Sequence, residues 1–267
     1  MKAVDVVEKI YPMIKKDERV KKVLDIMYKS KVDRIIVLKD SNTLYGLATE
    51  WDIFYKLSMV KETRDEPYDL PLSSVTTYPV DTALPDTPVK TIINQFLRRE
   101  YSSIPITDER IYGLVTKRGV IRNYLNRLRE VDKRIEEIMT KPKGIIQPFS
   151  SLKNAENKLR LGGFSTLIVH DNKTYIGVIT ALDIAKELLK IRKLFPKKDW
   201  DKQVSKLSVA DIMRRDFKTL LPEANIYEAA RIFADGWQKL IPILEDEINI
   251  VGVVTRRHIL KELLPLS

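Results

Sequence analysis

The sequence has no cysteine and only two histidines, His170 and His258. The first absence excludes disulfides, thiolate metal ligands and thiol nucleophiles, and so little imidazole argues against a metal site. No apolar run approaches the roughly 20 residues needed to cross a bilayer, and charge interrupts the opening stretch MKAVDVVEKIYPMIKKDERV too often for a secretory signal. A cytoplasmic protein without membrane attachment is the expectation. Also missing are a Walker-type glycine loop, a nucleophile elbow and a cluster of metal ligands, so the expectation is no enzyme, no catalytic residue and no catalytic cofactor.

What remains is ample for folding. Hydrophobic residues make up 44% of the 267 positions and charged residues 31%, which excludes a largely disordered chain and suits two domains of ordinary size. The formal net charge of +10 predicts attraction to polyanions: nucleotides, nucleic acid or an acidic protein surface.

The chain repeats itself four times. Helical stripes begin at Val20, Val89, Leu152 and Ile226, as in Val20/Val23/Leu24/Met27 and Val89/Ile92/Ile93/Phe96. At a constant offset from each start an apolar residue opens a strand-like run: Ile35 in RIIVL, Ile104 in SIPIT, Leu167 in TLIVH and Ile241 in LIPIL. A glycine follows at Gly46, Gly113, Gly177 and Gly252, each heading a short apolar stretch that ends in Thr: GLAT, GLVT, GVIT and GVVT. The polar strings KDSNT, TDER, HDNKT and EDEIN separate the two strands of each unit, and an amphipathic segment resumes after each Thr. The unit therefore reads extended segment, helix, strand, strand, helix, an α/β class. One unit buries too little to stand alone, so units one and two, and three and four, are expected to pair. The expected domains are 1–128, with repeats at about 1–62 and 70–128, and 129–267, with repeats at about 132–195 and 204–267.

The apolar strand, Gly, apolar pair, Thr, two variable residues and Asp resemble the cystathionine-β-synthase (CBS) domain family, over nearly the whole chain. Glu137-Ile138-Met139 and Asp211-Ile212-Met213 look like the openings of such repeats. The resemblance implies two paired Bateman modules forming a disc, as in the γ subunit of AMP-activated protein kinase and stand-alone archaeal four-repeat proteins. Implied ligands are AMP, ADP or ATP, in an energy-sensing regulatory protein, with an S-adenosylmethionine-type compound as the alternative ligand.

Repeats one and three carry Thr49-Glu50-Trp51-Asp52 and Thr180-Ala181-Leu182-Asp183 where a strand meets a helix. Asp52 or Asp183 there can accept from both ribose hydroxyls, while Thr49 or Thr180 and the helix-start N–H groups address a phosphate. The same pattern is a capping box. Repeats two and four lack the acid and are basic instead, with Lys117 and Arg118 before Gly119, and Arg256 and Arg257 before His258. Acid in one partner and base in the other suits a module that holds sugar with one half and phosphate with the other. The family resemblance carries over Asp52 and Asp183 as ribose ligands and implies that the sites at Gly119 and His258 are weak or empty, so two nucleotides per chain are expected. By resemblance Val80 and Thr82 would line adenine near Asp52, and Thr219 and Leu220 near Asp183. Arg34 is a phosphate-contacting candidate or a solvated surface residue, and His258 could donate to a phosphate. Trp51 could stack on a base, though packing is the commoner use, and Trp237 reads as core.

A competing reading is nucleic-acid binding through Lys186, Lys190, Arg192, Lys193, Lys197 and Lys198, a run that is otherwise a solvated linker helix. The regulated partner protein leaves no recognisable pattern, and dimerisation of the chain stays open.

Overall fold

The structure is a computed structural model, and it describes residues 1–59, 70–99, 101–236, 238–246 and 248–267. The expected end of the first repeat near 62 and the reading of Trp237 lie outside these residues.

All four units take the expected form. In the first, β1 (Met13–Lys15), α1 (Val20–Lys29), β2 (Arg34–Leu38), β3 (Leu44–Thr49) and α2 (Glu50–Met59) follow one another. The second has α3 (Val89–Arg98), β4 (Ser103–Thr107), β5 (Ile111–Thr116), α4 (Lys117–Asn123) and α5 (Leu125–Leu128). The third has β6 (Ile145–Ile146), α6 (Leu152–Gly162), β7 (Thr166–Asp171), β8 (Thr174–Thr180) and α7 (Ala181–Leu194), followed by α8 (Trp200–Lys206). The fourth has α9 (Ile226–Asp235), β9 (Leu240–Glu245), β10 (Asn249–Thr255) and α10 (Arg256–Leu263). Each first helix starts on the apolar residue that opens its stripe, because that face must be buried: Val20, Val23, Leu24 and Met27 in α1 are all in the core. Local chemistry sharpens the ends of α6, where the Ser151 hydroxyl accepts from Asn154 N–H at 3.2 Å and Gly163 closes the helix at φ 65°.

The two main strands of each unit pair antiparallel, β1 and β6 add parallel to β2 and β7, and the order is β1-β2-β3, β4-β5 and β6-β7-β8-β10-β9. The segment that opens each unit crosses to its neighbour before returning. Thr77 bridges to Leu47 on β3, Glu8 to Leu114 on β5, Arg214 to Val178 on β8, and Thr140 to Val253 on β10. The recurrent glycine follows from this crossing: a Cβ on Gly46 would stand 2.3 Å from the Thr77 carbonyl oxygen, too close for any side chain. Gly113, Gly177 and Gly252 hold the same place in their strands.

Apolar burial runs in a second direction. One core draws almost wholly on units one and three, with α2 packed on α7, and the other on units two and four, with α4 packed on α9 and α10. The crossing segments obey the same rule: Leu72 and Val75 join the first core, Ala3 and Val6 the second. Each fully buried Leu, Ile or Phe in these faces contributes about 1.5–3 kcal/mol, so both directions of contact are substantial.

The basic run that starts within α7 is not one cationic face. Arg192 is buried and donates to the Leu57 carbonyl, Lys190 pairs with Glu187 at 3.0 Å, and Lys186 lies over the Tyr28 ring.

Candidate functional site

A cavity of about 660 Å³ opens at the end of β3, lined from all four units. Unit one supplies Arg34, Thr49, Trp51 and Asp52, and the crossing segment supplies Thr77, Pro79 and Val80. Ser102, Ser103 and Lys117 come from unit two, Ser165 from unit three, and Lys239, Thr255, Arg256 and Arg257 from unit four.

Asp52 stands where β3 turns into α2, and its position is fixed by a closed cap. Its Oδ2 accepts from Thr49 N–H at 2.8 Å and from the Thr49 hydroxyl at 2.6 Å, while Asp52 N–H donates to Thr49 Oγ1 at 3.3 Å. The capping-box reading is thus correct locally, and both bonds that the carboxylate accepts within the cap end on Oδ2, leaving Oδ1 outside it. Burial raises the carboxyl above its ordinary pKa, against the pull of Thr49, Arg34 and Thr77. Trp51 lines the cavity while its ring packs against Phe54 at 5.3 Å, so it serves packing and cleft together.

Cations gather across the cavity. Arg34 is buried, not solvated: its Nε and Nη2 grip both Asp33 oxygens at 2.7 Å, and Nη1 donates to Ser103 Oγ at 2.6 Å and Ser102 Oγ at 3.1 Å. Lys239 reaches from unit four to Asp33 at 3.1 Å and Glu50 at 2.5 Å, and these carboxylates keep it charged despite burial. Arg257 donates to the Phe96 and Leu97 carbonyls at the end of α3. Arg256 is the least compensated. Its Nη2 donates to Gly236 O at 3.2 Å, but its Nε is buried with no hydrogen-bond partner among the described residues. Burial pulls its pKa down to about 10, and the positive Arg118 and Arg34 add to this against Asp33. A cation held at such cost stands ready for an anion.

Other expected residues are elsewhere. Arg118 does not line the cavity; it pairs with Glu8 at 3.0 Å, with Tyr11 Oη at 3.3 Å, because unit two has a glycine where unit one has Asp52. The crossing segment fills that gap: Thr116 Oγ1 donates to Glu8 Oε2, as Thr49 does to Asp52. A Cβ on Gly119 would lie 3.1 Å from Glu8 Cγ and Oε2, so the small residue makes room for the donated acid. His258 presents no positive charge. Its Nδ1 accepts from Thr255 N–H at 3.2 Å, replacing the capping carboxylate, and burial, Lys261 and Arg257 all lower its pKa.

Asp183 repeats the cap, with Thr180 N–H at 3.0 Å and the Thr180 hydroxyl at 2.6 Å from Oδ2, and burial raises its pKa too. Opposite it stands Arg214, 4.0 Å from Oδ1 and paired with Asp216 at 2.9 Å, where the Asp52 cleft has Thr77. Thr180 and Asp183 do not line the 660 Å³ cavity. Of the adenine candidates, Val80 lines it, but Thr82 is exposed and does not. Thr219 and Leu220 are displaced in register: Leu220 already pairs with β9 as Ala83 does with β4, and the residue matching Val80 is the buried Phe217, three positions after Arg214. Glu8 and Phe217 escaped the sequence reading. Their signal lay in the constant spacing of the crossing segments from the helices: Glu8, Thr77, Thr140 and Arg214 bridge at one and the same offset before Val20, Val89, Leu152 and Ile226.

The CBS domain model matches residues 3–58, 72–126, 135–190 and 209–265. Among curated proteins, the uncharacterized protein MJ1225 of Methanocaldococcus jannaschii is 22% identical over 264 residues, covering 91% of each chain. The A-adding tRNA nucleotidyltransferase of Aquifex aeolicus is 33% identical over 143 residues, 53% of this chain but 16% of that enzyme. Among solved structures, that of MJ1225, proposed as an archaeal homolog of g-AMPK, superposes with a TM-score of 0.86 at 21% identity, over 98% of this chain and all of the other. An uncharacterized conserved protein from Pyrococcus horikoshii gives 0.61 at 18% identity, over 98% of this chain and all of its own.

Proposed function

The chain belongs to the CBS domain family, whose members are generally regulatory ligand-binding modules, and from that premise we propose that it binds an adenine nucleotide at Asp52 and thereby regulates a partner protein. The observation that carries this reading is the pairing of a capped carboxylate with an incompletely compensated cation in one cavity: Asp52 on one wall, and on the other Arg256, whose Nε has no hydrogen-bond partner among the described residues. In this reading Asp52 accepts from the ribose hydroxyls, Val80 and Trp51 cover the base, and Arg256, Arg257 and Lys117 neutralise the phosphate. The site binds and has no assigned reaction.

AMP, ADP and ATP are the ligands, and discrimination among them would make the protein an energy sensor. A sulfonium compound such as S-adenosylmethionine suits the cleft less, because its positive centre would meet Arg34, Lys239 and Arg256. The Asp183 cleft is a second, weaker nucleotide site in this reading, since Arg214 already lies beside its carboxylate. Nucleic-acid binding has less support, because Arg192 is turned inward and the basic run is divided.

Because the cavity is lined from all four units, an occupant would bias their relative packing; the signal needs only different affinities for two arrangements. Small-angle scattering should therefore change on addition of nucleotide. A cytoplasmic location belongs to the same proposal; among the described residues no helix is long and apolar enough to cross a membrane.

The test is calorimetric titration with AMP, ADP, ATP and S-adenosylmethionine, using wild type, Asp52→Ala and Asp183→Ala. Micromolar binding of an adenine nucleotide that Asp52→Ala removes is the expected result. Absence of binding below millimolar for all four compounds would overturn the proposal.

A further inference from the structure

A second cavity, of about 250 Å³, lies where the end of α2 in unit one meets α6, α7 and α8. It shares no lining residue with the Asp52 cleft. Its floor is buried: Ser58, Arg192 and Glu156 are 7%, 8% and 3% exposed. Its mouth carries Lys197 and Lys198, both exposed.

The floor is also fixed. Arg192 donates to the Leu57 carbonyl and its guanidinium lies 5.0 Å from the centre of the Trp200 ring, while Lys153 bonds Glu156 at 2.6 Å. Ser58 is different. Its hydroxyl is buried against the cavity with no hydrogen-bond partner among the described residues, an arrangement that costs free energy unless something in the cavity bonds to it. The lining cations Lys153, Arg192, Lys197 and Lys198 outnumber the lining carboxylates Glu156 and Asp201. A buried hydroxyl donor, a rigid guanidinium and exposed lysines at the entrance match the needs of a tetrahedral oxyanion.

We propose that this cavity binds a small phosphate-class anion, with the Ser58 hydroxyl donating to one oxygen and Arg192 and Lys198 balancing the charge. The anion is either free inorganic phosphate or pyrophosphate, or the phosphoryl group of a small metabolite. Since the lining comes from units one and three, the occupant would also join those units.

The experiment uses the full chain with three probes, inorganic phosphate, pyrophosphate and glycerol 3-phosphate, at constant ionic strength, by calorimetry and thermal melting. It is run in wild type and in Arg256→Ala, which removes the proposed phosphate contact of the nucleotide cleft. In the Arg256→Ala background at least one probe should bind and raise Tm by mass action. Adding Lys198→Ala should weaken that binding about tenfold, as loss of a charged contact does. Ser58→Ala should weaken it while leaving the unliganded Tm no lower, because the hydroxyl it removes has no hydrogen-bond partner among the described residues. Preference for glycerol 3-phosphate over the inorganic probes would assign the site to a metabolite, and the reverse to the free anion. No binding by any probe, or binding indifferent to both Lys198→Ala and Ser58→Ala, would overturn the proposal. Neither result bears on nucleotide binding, which is read separately at Asp52.

Discussion

The Asp52 junction and the Thr116–Gly119 junction share one backbone design and reach opposite ends. In both, a Thr hydroxyl at the close of a strand donates to a carboxylate. At Asp52 the acid is local, the crossing segment bridges to β3 with Thr77 in place of an acid, and a cavity is left in front. At Gly119 the acid arrives from the crossing segment as Glu8 and draws in Arg118, which also donates to the Tyr11 hydroxyl. The lesson is that the origin of the carboxylate decides whether the cleft stays available. Asp183 falls between the two, with a local acid and an arginine opposite.

The comparison breaks most visibly at Glu8. Glu8→Ala strands the buried Arg118, and breaking such a pair should cost about 3–5 kcal/mol in urea unfolding. Adding Gly119→Asp should recover part of that loss by returning the acid to the helix; no recovery would show that the two carboxylates are not equivalent. Next in size, Asp52→Ala should weaken AMP about a hundredfold, the loss of two charge-assisted hydrogen bonds at about 1.5 kcal/mol each, whereas Asp183→Ala should change the same constant less than about threefold. A smaller effect comes from exchanging the opposite walls. Thr77→Arg should weaken binding at Asp52 about tenfold by supplying a competing cation, and Arg214→Thr should strengthen binding at Asp183, both read by calorimetry.

The smallest effect is on the unliganded protein. Burial raises the Asp52 carboxyl above its unfolded value, so the folded state holds its proton more firmly. That contribution to stability is present at acid pH and is lost as pH rises through the folded pKa. Asp52→Asn should therefore melt no lower than wild type at pH 7, and should lose any advantage as pH falls to about 4. A large drop in Tm at pH 7 would mean that the carboxylate serves the fold rather than a ligand.

Repeat number, class and element order were legible because each depends on local periodicity: α1, α3, α6 and α9 begin at Val20, Val89, Leu152 and Ile226, where the apolar stripes begin. The strand-ending threonines were legible for the same reason. Half of the cleft was legible too, since Thr49 and Asp52 lie three residues apart. What was hidden depends on contacts distant in sequence. Arg118 reads as a free cation until Glu8, 110 positions away, is seen beside it. The burial of unit one against unit three could not be read from stripes that are alike in all four units. Phe217 sits nine positions before the start of α9, as Val80 sits nine before α3, and its role shows only once the bridges at Arg214 and Leu220 place the crossing segment against β8 and β9.

The crossing segments determine how such a chain can gain or lose material. Deleting any single quarter would remove the edge partner of an adjacent strand and leave polar backbone unpaired, so viable architectures change by even numbers. A half-length version would keep its strands satisfied yet expose the helical faces that α7, α9 and α10 now cover. Such a half would have to meet a second copy of itself, and fusing the two into one polypeptide frees each quarter to acquire its own chemistry.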